Sequence, residues 1–268
     1  MMEDDVVSAA ARILTDVRRR KPLIHCITND VTRGAVAEAL TAFGASPIMA
    51  TAPEEVEQIA GKAGSLVLNL GTPSRERYAV AIAAGRAASS SGVPIVVDPV
   101  GIAASPWRLA GHREVLASCT VHAIRANAAE LEALLSGKDW GSGVGTGDFR
   151  APAALAHGVA YQFGCTVGMT GATDYVADAS GRSRGVANGH PLLAAVSGTG
   201  CLATAIVGAC LAVSCDSWYG TIAGLLVAGV AGELAAEDAR SPGTLATKLI
   251  DWYYNLTTEL LIARARLV

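Results

Sequence analysis

The chain has 268 residues, of which 51% are hydrophobic and 17% are charged, and its formal net charge is −3. This composition predicts a large buried core, and the sequence shows no linker, composition break or internal repeat, so we expect a single domain over 1–268. The slightly negative charge and the lack of a basic tract argue against a nucleic-acid partner, because phosphate backbones are bound by clustered cations. The six cysteines have no CxxC spacing, and the acidic start MMEDDVV does not resemble a secretory signal. We therefore expect a cytoplasmic protein with reduced thiols.

From residue 53 onward, short apolar runs alternate with longer segments of helical character. Helices are expected at 53–63, 74–90, 106–118, 128–135 and 152–163, and strands at 65–70, 94–97, 121–124 and 166–169. Continuous apolar strands separated by helices are typical of parallel sheets that are buried on both sides. The pattern therefore predicts an α/β fold, a mostly parallel central sheet with helices on both faces.

Three other segments complete the organisation of the chain. We expect a glycine-rich surface loop at 136–148, a β-hairpin at 175–186, and helices at 199–214, 217–238 and 243–264. Although 191–215 carries no charge, the Ser-Gly-Thr-Gly turn interrupts it, and a helix over 199–214 would span only about 24 Å. A bilayer core requires about 30 Å, so these helices are predicted to lie in a protein core, with no membrane partner.

The stretch 196–213, VSGTGCLATAIVGACLAV, joins a glycine turn to an apolar helical segment. A helix that begins there presents unpaired backbone N–H groups, which together with the helix dipole favour an anion. Gly198, Thr199 and Gly200 are therefore a candidate anion hole, and Cys201 lies in the first turn, where a thiol ionises easily and could act as a base. The alternative is a close-packed loop followed by a buried structural cysteine.

Polar side chains follow several predicted strands, where ligands bind in open α/β sheets. Asp98, in an exposed turn before Pro99, and Glu130 could together hold a hydrated Mg²⁺, and Arg125 suits a phosphate group. The alternatives are a turn-forming role for Asp98 and a helix cap made by Asn127 and Glu130. Together with the candidate anion hole, these residues predict an ATP-dependent kinase.

Eight motifs in one order carry a resemblance to a known family. They are HCITNDV at 25–31, GASPIMA at 44–50, NLGT at 69–72, VDPVG at 97–101, IRANAAE at 124–130, MTGATD at 169–174, NGHPLL at 188–193 and SGTGCLATA at 197–205. Over about residues 20–235 the chain resembles the hydroxyethylthiazole kinases of the ribokinase-like superfamily. The resemblance implies ATP- and Mg²⁺-dependent phosphorylation of 4-methyl-5-(2-hydroxyethyl)thiazole in thiamine biosynthesis or salvage, by a homotrimer with thiazole sites between subunits.

By position, the resemblance also implies a role for individual residues. It implies thiazole contacts for Met49 and Gly198 with Asn29 nearby, ATP contacts for Arg125 and Thr170, a metal region at Asp98 and Glu130, and a catalytic base at Cys201, where most ribokinase-like relatives carry aspartate.

Two further functions remain open on sequence grounds. One is a kinase for another small alcohol, such as the pyrimidine of the same pathway, and the other is a non-catalytic sensor of thiazole or nucleotide. The family's segment after ITN usually carries further asparagines, where this chain has Gly34 and Glu38. A sensor needs no base, so the presence of Asp98, Glu130, Arg125 and Cys201 together favours an enzyme.

Overall fold

Eight strands form one sheet in the computed structural model, which describes residues 3–137 and 152–268. The strands are β1 Leu23–Ile27, β2 Ser46–Ile48, β3 Ser65–Asn69, β4 Ile95–Asp98, β5 Ala123–Asn127, β6 Thr166–Thr170, β7 Asp174–Ala177 and β8 Ser183–Val186. Their order is β2-β1-β3-β4-β5-β6-β7-β8, parallel as far as β6 and antiparallel from there. The mostly parallel sheet and the hairpin predicted at 175–186 are confirmed.

The α-helices in the described ranges precede, connect or follow these strands. They are α1 Glu3–Arg20, α2 Arg33–Phe43, α3 Val56–Ala60, α4 Arg75–Ser90, α5 Pro106–Ser118, α6 Ala128–Ser136, α7 Pro152–Phe163, α8 Thr199–Leu211, α9 Ser217–Asp238, α10 Pro242–Asn255 and α11 Thr258–Arg264. The glycine-rich loop expected at 136–148 lies, from residue 138 onward, outside the described residues.

The helices form two layers, one on each face of the sheet. Helices α1, α2 and α8 to α11 pack on one face, and α3 to α7 pack on the other. Successive side chains of a strand point to opposite faces, so Val67 of β3 joins the first layer while Leu66 and Leu68 join the second. Both faces are therefore buried, which explains why the strands are apolar without alternation.

Some predicted boundaries were wrong. The helix expected at 53–63 is only the five-residue α3, and the helix expected at 243–264 is two helices. The break comes at Leu256, which is extended, and Thr257 then caps α11 by accepting a hydrogen bond from the Leu260 N–H. The elements before residue 53, α1, β1, α2 and β2, were not predicted.

Helix α9 is long and apolar enough to cross a membrane by length and composition. It instead lies inside the protein, packed between α1, α8 and α10 and against the sheet, with most of its residues buried. Its apolar character is that of a core helix, as the sequence predicted.

Candidate active site

The turn before α8 has the features of an anion site. Gly198 adopts a φ of 90°, which favours glycine, and the helix starts at Thr199 with no side-chain cap from the described residues. The Thr199 hydroxyl donates to the Leu193 carbonyl at 3.1 Å and so holds the turn in place. The N–H groups of the first turn of α8 thus receive no side-chain cap from the described residues, and Gly198, Thr199 and Gly200 stay a candidate anion hole.

Arg125 of β5 faces this turn. A Cβ built on Gly200 would lie 2.7 Å from Arg125 Nη1, so only glycine lets the guanidinium approach the helix start so closely. Arg125 Nη2 donates to the Thr170 hydroxyl at 2.6 Å, and the arginine side chain is only 13% exposed. The two residues expected to contact ATP, Arg125 and Thr170, are thus neighbours at the candidate anion hole.

A cleft of about 570 Å³ opens from this point. Its polar lining residues include Arg125, Thr170, Asp174 and Thr199, and its apolar lining residues include Ala203, Leu225, Ala228, Leu249 and Tyr253. The volume and the mixed polar and apolar lining suit a small-molecule ligand that carries both an anionic group and a ring.

Asp98 lies at the carboxyl end of β4 and is fully buried, with 0% exposure. Its Oδ2 accepts hydrogen bonds from Asn69 Nδ2 at 2.9 Å and from the Thr204 hydroxyl at 2.7 Å. Burial raises the pKa of Asp98 to about 7 against the opposing charge of Arg125, and the nearby Glu130 carboxyl adds to the rise. The predicted exposed turn is therefore wrong, because Pro99 ends a buried strand there.

Glu130 forms the helix cap that the sequence left open as an alternative. Its Oε2 accepts from the Asn127 N–H at 2.9 Å while Asn127 Oδ1 accepts from the Glu130 N–H at 2.9 Å, a reciprocal capping box at the start of α6. Its Oε1 accepts from the Gly101 N–H at 3.0 Å, which ties the loop after β4 to α6. Burial raises the pKa of Glu130 as well. The carboxylates of Glu130 and Asp98 follow adjacent strands, as predicted.

The residues present fit a Mg²⁺ ion held mainly through phosphate and water. Within the described ranges, no group of three or more His, Cys, Asp or Glu side chains could hold a metal. Magnesium commonly uses only one or two carboxylates. Asp98 Oδ1 is buried and accepts no hydrogen bond from the described residues, with Arg125 Nη1 still 3.9 Å away. That unsatisfied oxygen is the feature that suits a cation.

Cys201 is linked to Asp98 through two amides. Asn29 Nδ2 lies 3.3 Å from the Cys201 sulfur and also donates to Asn69 Oδ1 at 2.9 Å, and Asn69 in turn donates to Asp98. Burial raises the pKa of the Cys201 thiol, and the Asp98 charge raises it further. The expectation of an easily ionised thiol is therefore wrong, because burial and the neighbouring carboxyl both favour the neutral thiol.

Two polar residues of this network were not predicted as site residues. Asn69 lies at the carboxyl end of β3, and its amide joins Asn29 to Asp98. Thr204 lies in an apolar helix, and its hydroxyl also contacts the Gly200 carbonyl at 3.1 Å. A threonine four residues after a glycine turn, in an otherwise apolar helix, was the available signal.

Met49 lies apart from the cleft. It follows the edge strand β2, is half-buried, and its carbonyl accepts from Arg33 Nη2 at 2.8 Å. Gly34 and Glu38, which stand where the family usually carries asparagines, are both exposed on α2. The structure thus brings Asn29, Gly198 and Cys201 towards one centre and places Met49 at the sheet edge.

The fold, a mostly parallel sheet between two helical layers, is also found in proteins described as ribokinase-like. At the level of fold, the chain is similar to a ribokinase-like superfamily protein from Enterococcus faecalis, with a TM-score of 0.64 and 11% identity over 96% of this chain and 92% of that one. The hydroxyethylthiazole kinase family model matches residues 14–259, and the chain belongs to that family.

Individual relatives agree along nearly the whole chain. A hydroxyethylthiazole kinase of Methanocorpusculum labreanum is 41% identical over 96% of this chain and 97% of its own length. The structure of a hydroxyethylthiazole kinase protein from Pyrococcus horikoshii OT3 is similar with a TM-score of 0.90 and 37% identity, covering 97% of this chain and 98% of that one.

Proposed function

We propose that this protein transfers the γ-phosphoryl group of ATP to the hydroxyl of 4-methyl-5-(2-hydroxyethyl)thiazole, in thiamine biosynthesis or salvage. Family membership supports this substrate, since the relatives along the whole chain are hydroxyethylthiazole kinases. The observation that carries the chemistry is the uncapped start of α8 facing Arg125, next to the buried Asp98 carboxyl. This arrangement suits a phosphoryl group in transfer, which needs positioning and charge stabilisation.

In the proposed reaction, a bond forms between the substrate hydroxyl oxygen and the γ-phosphorus while the bond to the bridging β–γ oxygen breaks. ADP leaves with that electron pair, and the hydroxyl proton passes to a base. The backbone N–H groups of Gly198 to Cys201 and the Arg125 guanidinium hold the transferring group. Asp98 and Glu130 would hold Mg²⁺ directly or through water, and the ion would neutralise phosphate charge.

Cys201 is the proposed proton acceptor. Because burial keeps its thiol mostly neutral, we infer that proton removal contributes less to the rate of phosphoryl transfer than the anion hole and the cations do. A loose transition state supports this ranking, since catalysis of phosphoryl transfer depends mainly on positioning and charge stabilisation.

The thiazole ring is proposed to lie near Asn29 and Gly198, with Met49 against it. Met49 follows the edge strand β2 and is half-buried, away from the ATP cleft, so we propose that a second copy of the chain helps to enclose the ring. The homotrimer with thiazole sites between subunits is proposed from the family resemblance, and we propose a cytoplasmic location.

The central test is ADP release by the purified protein with ATP, Mg²⁺ and a panel of thiazole and pyrimidine alcohols. We expect turnover with hydroxyethylthiazole well above that with any pyrimidine alcohol. A preference for a pyrimidine alcohol would identify the protein as a kinase for another small alcohol. Binding of an alcohol without ADP release would identify it as a sensor.

The variant Met49→Ala tests the ring site. We expect the KM for the thiazole alcohol to rise by about tenfold, because a buried side-chain contact is worth about 1.5 kcal/mol, while the KM for ATP stays within twofold. Equal changes in both KM values, or loss of folding in thermal melts, would show that Met49 is a packing residue and not a contact of the thiazole ring.

A further inference from the structure

A buried polar cluster lies behind one wall of the ATP cleft. Glu233 of α9, whose side chain is only 11% exposed, receives hydrogen bonds from the loop after β8. Asn188 Nδ2 lies 3.2 Å from each of its carboxylate oxygens, and the Gly189 N–H donates to Glu233 Oε1 at 2.7 Å. Asn188 and Gly189 themselves line the cleft. One carboxylate therefore anchors two consecutive residues of the cleft wall.

Arg266 neutralises that carboxylate and holds the same wall from the other side. Its guanidinium forms a bidentate ion pair with Glu233, with Nη1 at 3.2 Å from Oε2 and Nη2 on Oε1, and Nη2 also donates to the Ala187 carbonyl at 2.9 Å. Its backbone N–H donates to Asn188 Oδ1 at 2.8 Å. The Asn188 side chain therefore donates to the Glu233 carboxylate through its Nδ2 and accepts from the Arg266 N–H through its Oδ1.

Backbone pairing fixes residues 266–268 beside β8. The Ala187 N–H donates to the Arg266 carbonyl at 2.8 Å, and Gly185 and Val268 exchange two hydrogen bonds of 2.8 and 3.0 Å. Leu267 is buried in the core between them. The segment therefore acts as an additional short strand that carries Arg266 to Glu233.

We propose that Glu233 and Arg266 are positioning residues that hold the 188–189 wall of the cleft and thereby set the affinity for the nucleotide. The inference rests on the proposed function in one respect, that the cleft binds ATP. Neither side chain lines the cleft, so both act through Asn188 and Gly189. Removing Arg266 leaves a mostly buried carboxylate without its cation, and the wall that depends on this carboxylate shifts.

Arg264 offers a matched control two residues away. Its guanidinium pairs with Glu237 at 2.7 Å, and both side chains are well exposed. Its side chain is coupled to Glu233 only through a minor charge attraction, and only its backbone carbonyl contacts Asn188. Arg264→Gln therefore removes an equivalent charge while the hydrogen bonds of the wall stay in place.

The experiment compares Arg266→Gln, Glu233→Gln and Arg264→Gln with the parent protein. We measure ADP affinity by calorimetry, the KM values for ATP and the thiazole alcohol, kcat, and the midpoint of thermal unfolding. For Arg266→Gln and Glu233→Gln we expect ADP affinity to fall and the KM for ATP to rise by about 5- to 20-fold, with the thiazole KM and kcat within about twofold. Arg264→Gln should match the parent protein, and Arg266→Lys should recover part of the loss. If Glu233→Gln does not fold, Arg266→Gln decides the question.

The outcomes separate this inference from the proposed function. A parent protein that turns over, with both variants keeping parental nucleotide affinity, overturns the positioning role alone. A parent protein that binds ADP but phosphorylates no alcohol overturns the proposed function alone, and weaker ADP binding by the variants would still support the positioning role. Failure of the parent protein to bind ADP overturns both. Similar losses in the affinity for ATP, in the affinity for the thiazole alcohol and in thermal stability would show that the cluster has only a structural role.

Discussion

Asp98 is the buried carboxyl around which the other polar side chains of the site are arranged. Asn69 and Thr204 satisfy one of its oxygens, while the other has no hydrogen-bond partner among the described residues. Asp98→Asn preserves the shape and removes the charge proposed to hold Mg²⁺. We expect kcat to fall by about 100-fold or more, in line with the loss of one electrostatic stabiliser, while the thiazole alcohol binds nearly as before. Normal turnover by this variant at limiting Mg²⁺ would rule out the metal role.

Substitutions at Gly200 and Cys201 test how much of the rate acceleration comes from the anion hole and how much comes from the base. A side chain at position 200 would displace Arg125 Nη1, 2.7 Å from the built Cβ, so Gly200→Val should be essentially inactive. Cys201→Ala should keep a measurable residual rate, since acid–base help is worth about 10²- to 10⁴-fold. Cys201→Asp should remain active because a carboxylate can accept the proton.

Turnover of the three folded variants measures the contribution of the anion hole and that of the base. An inactive Cys201→Asp beside an active Gly200→Val would contradict both the base assignment and the anion hole.

Helices α8 and α9 pack closely against each other at Gly224 of α9. A Cβ built on Gly224 of α9 would lie 2.5 Å from the Cα and 2.9 Å from the backbone nitrogen of Val207 in α8. Backbone atoms cannot move aside as a flexible side chain can, so Gly224→Ala should lower the free energy of unfolding by about 1–3 kcal/mol. Urea denaturation measures the change.

Gly243 provides the control for this packing. It lies in the first turn of α10, where a built Cβ meets nothing within 4 Å in the described part of the chain. Gly243→Ala should stabilise the protein by about 0.4–1 kcal/mol, because alanine reduces the freedom of the unfolded chain. Destabilisation by both substitutions would show that helix packing is not the cause.

The stability of the whole molecule should depend on pH through His112. This histidine of α5 is fully buried, with Nδ1 2.7 Å from the Arg108 carbonyl and 2.9 Å from the Tyr78 hydroxyl. Burial lowers the pKa of His112 to about 4. The unfolded chain therefore binds a proton more readily than the folded protein, so this contribution to stability is complete above about pH 6.5 and is lost as the pH falls towards 4.

The measurement compares the parent protein with His112→Asn between pH 7 and pH 4.5. The parent should lose about 2 kcal/mol more free energy of unfolding than the variant over that range. Asp98 and Asp174, whose raised pKa values act in the opposite direction, are present in both proteins, so their effects cancel in the difference. Parallel pH profiles would contradict the assignment to His112.

Features that depend on local patterns could be predicted from the amino-acid sequence. Apolar runs between helical segments predicted the sheet, the turn at 198–200 predicted the start of a helix, and the spacing of Asn127 and Glu130 allowed the capping box. These patterns are readable because hydrophobic period, glycine conformation and capping act over a few residues.

The contacts among these residues depend on the tertiary fold. The sheet order places β1, β3 and β4 side by side, which brings Asn29, Asn69 and Asp98 into one hydrogen-bonded chain although they are far apart in sequence. Burial raises the pKa of both Asp98 and Cys201, contrary to the expectation for an exposed turn and an activated thiol. Desolvation depends on everything that surrounds a group, so no local pattern could reveal it.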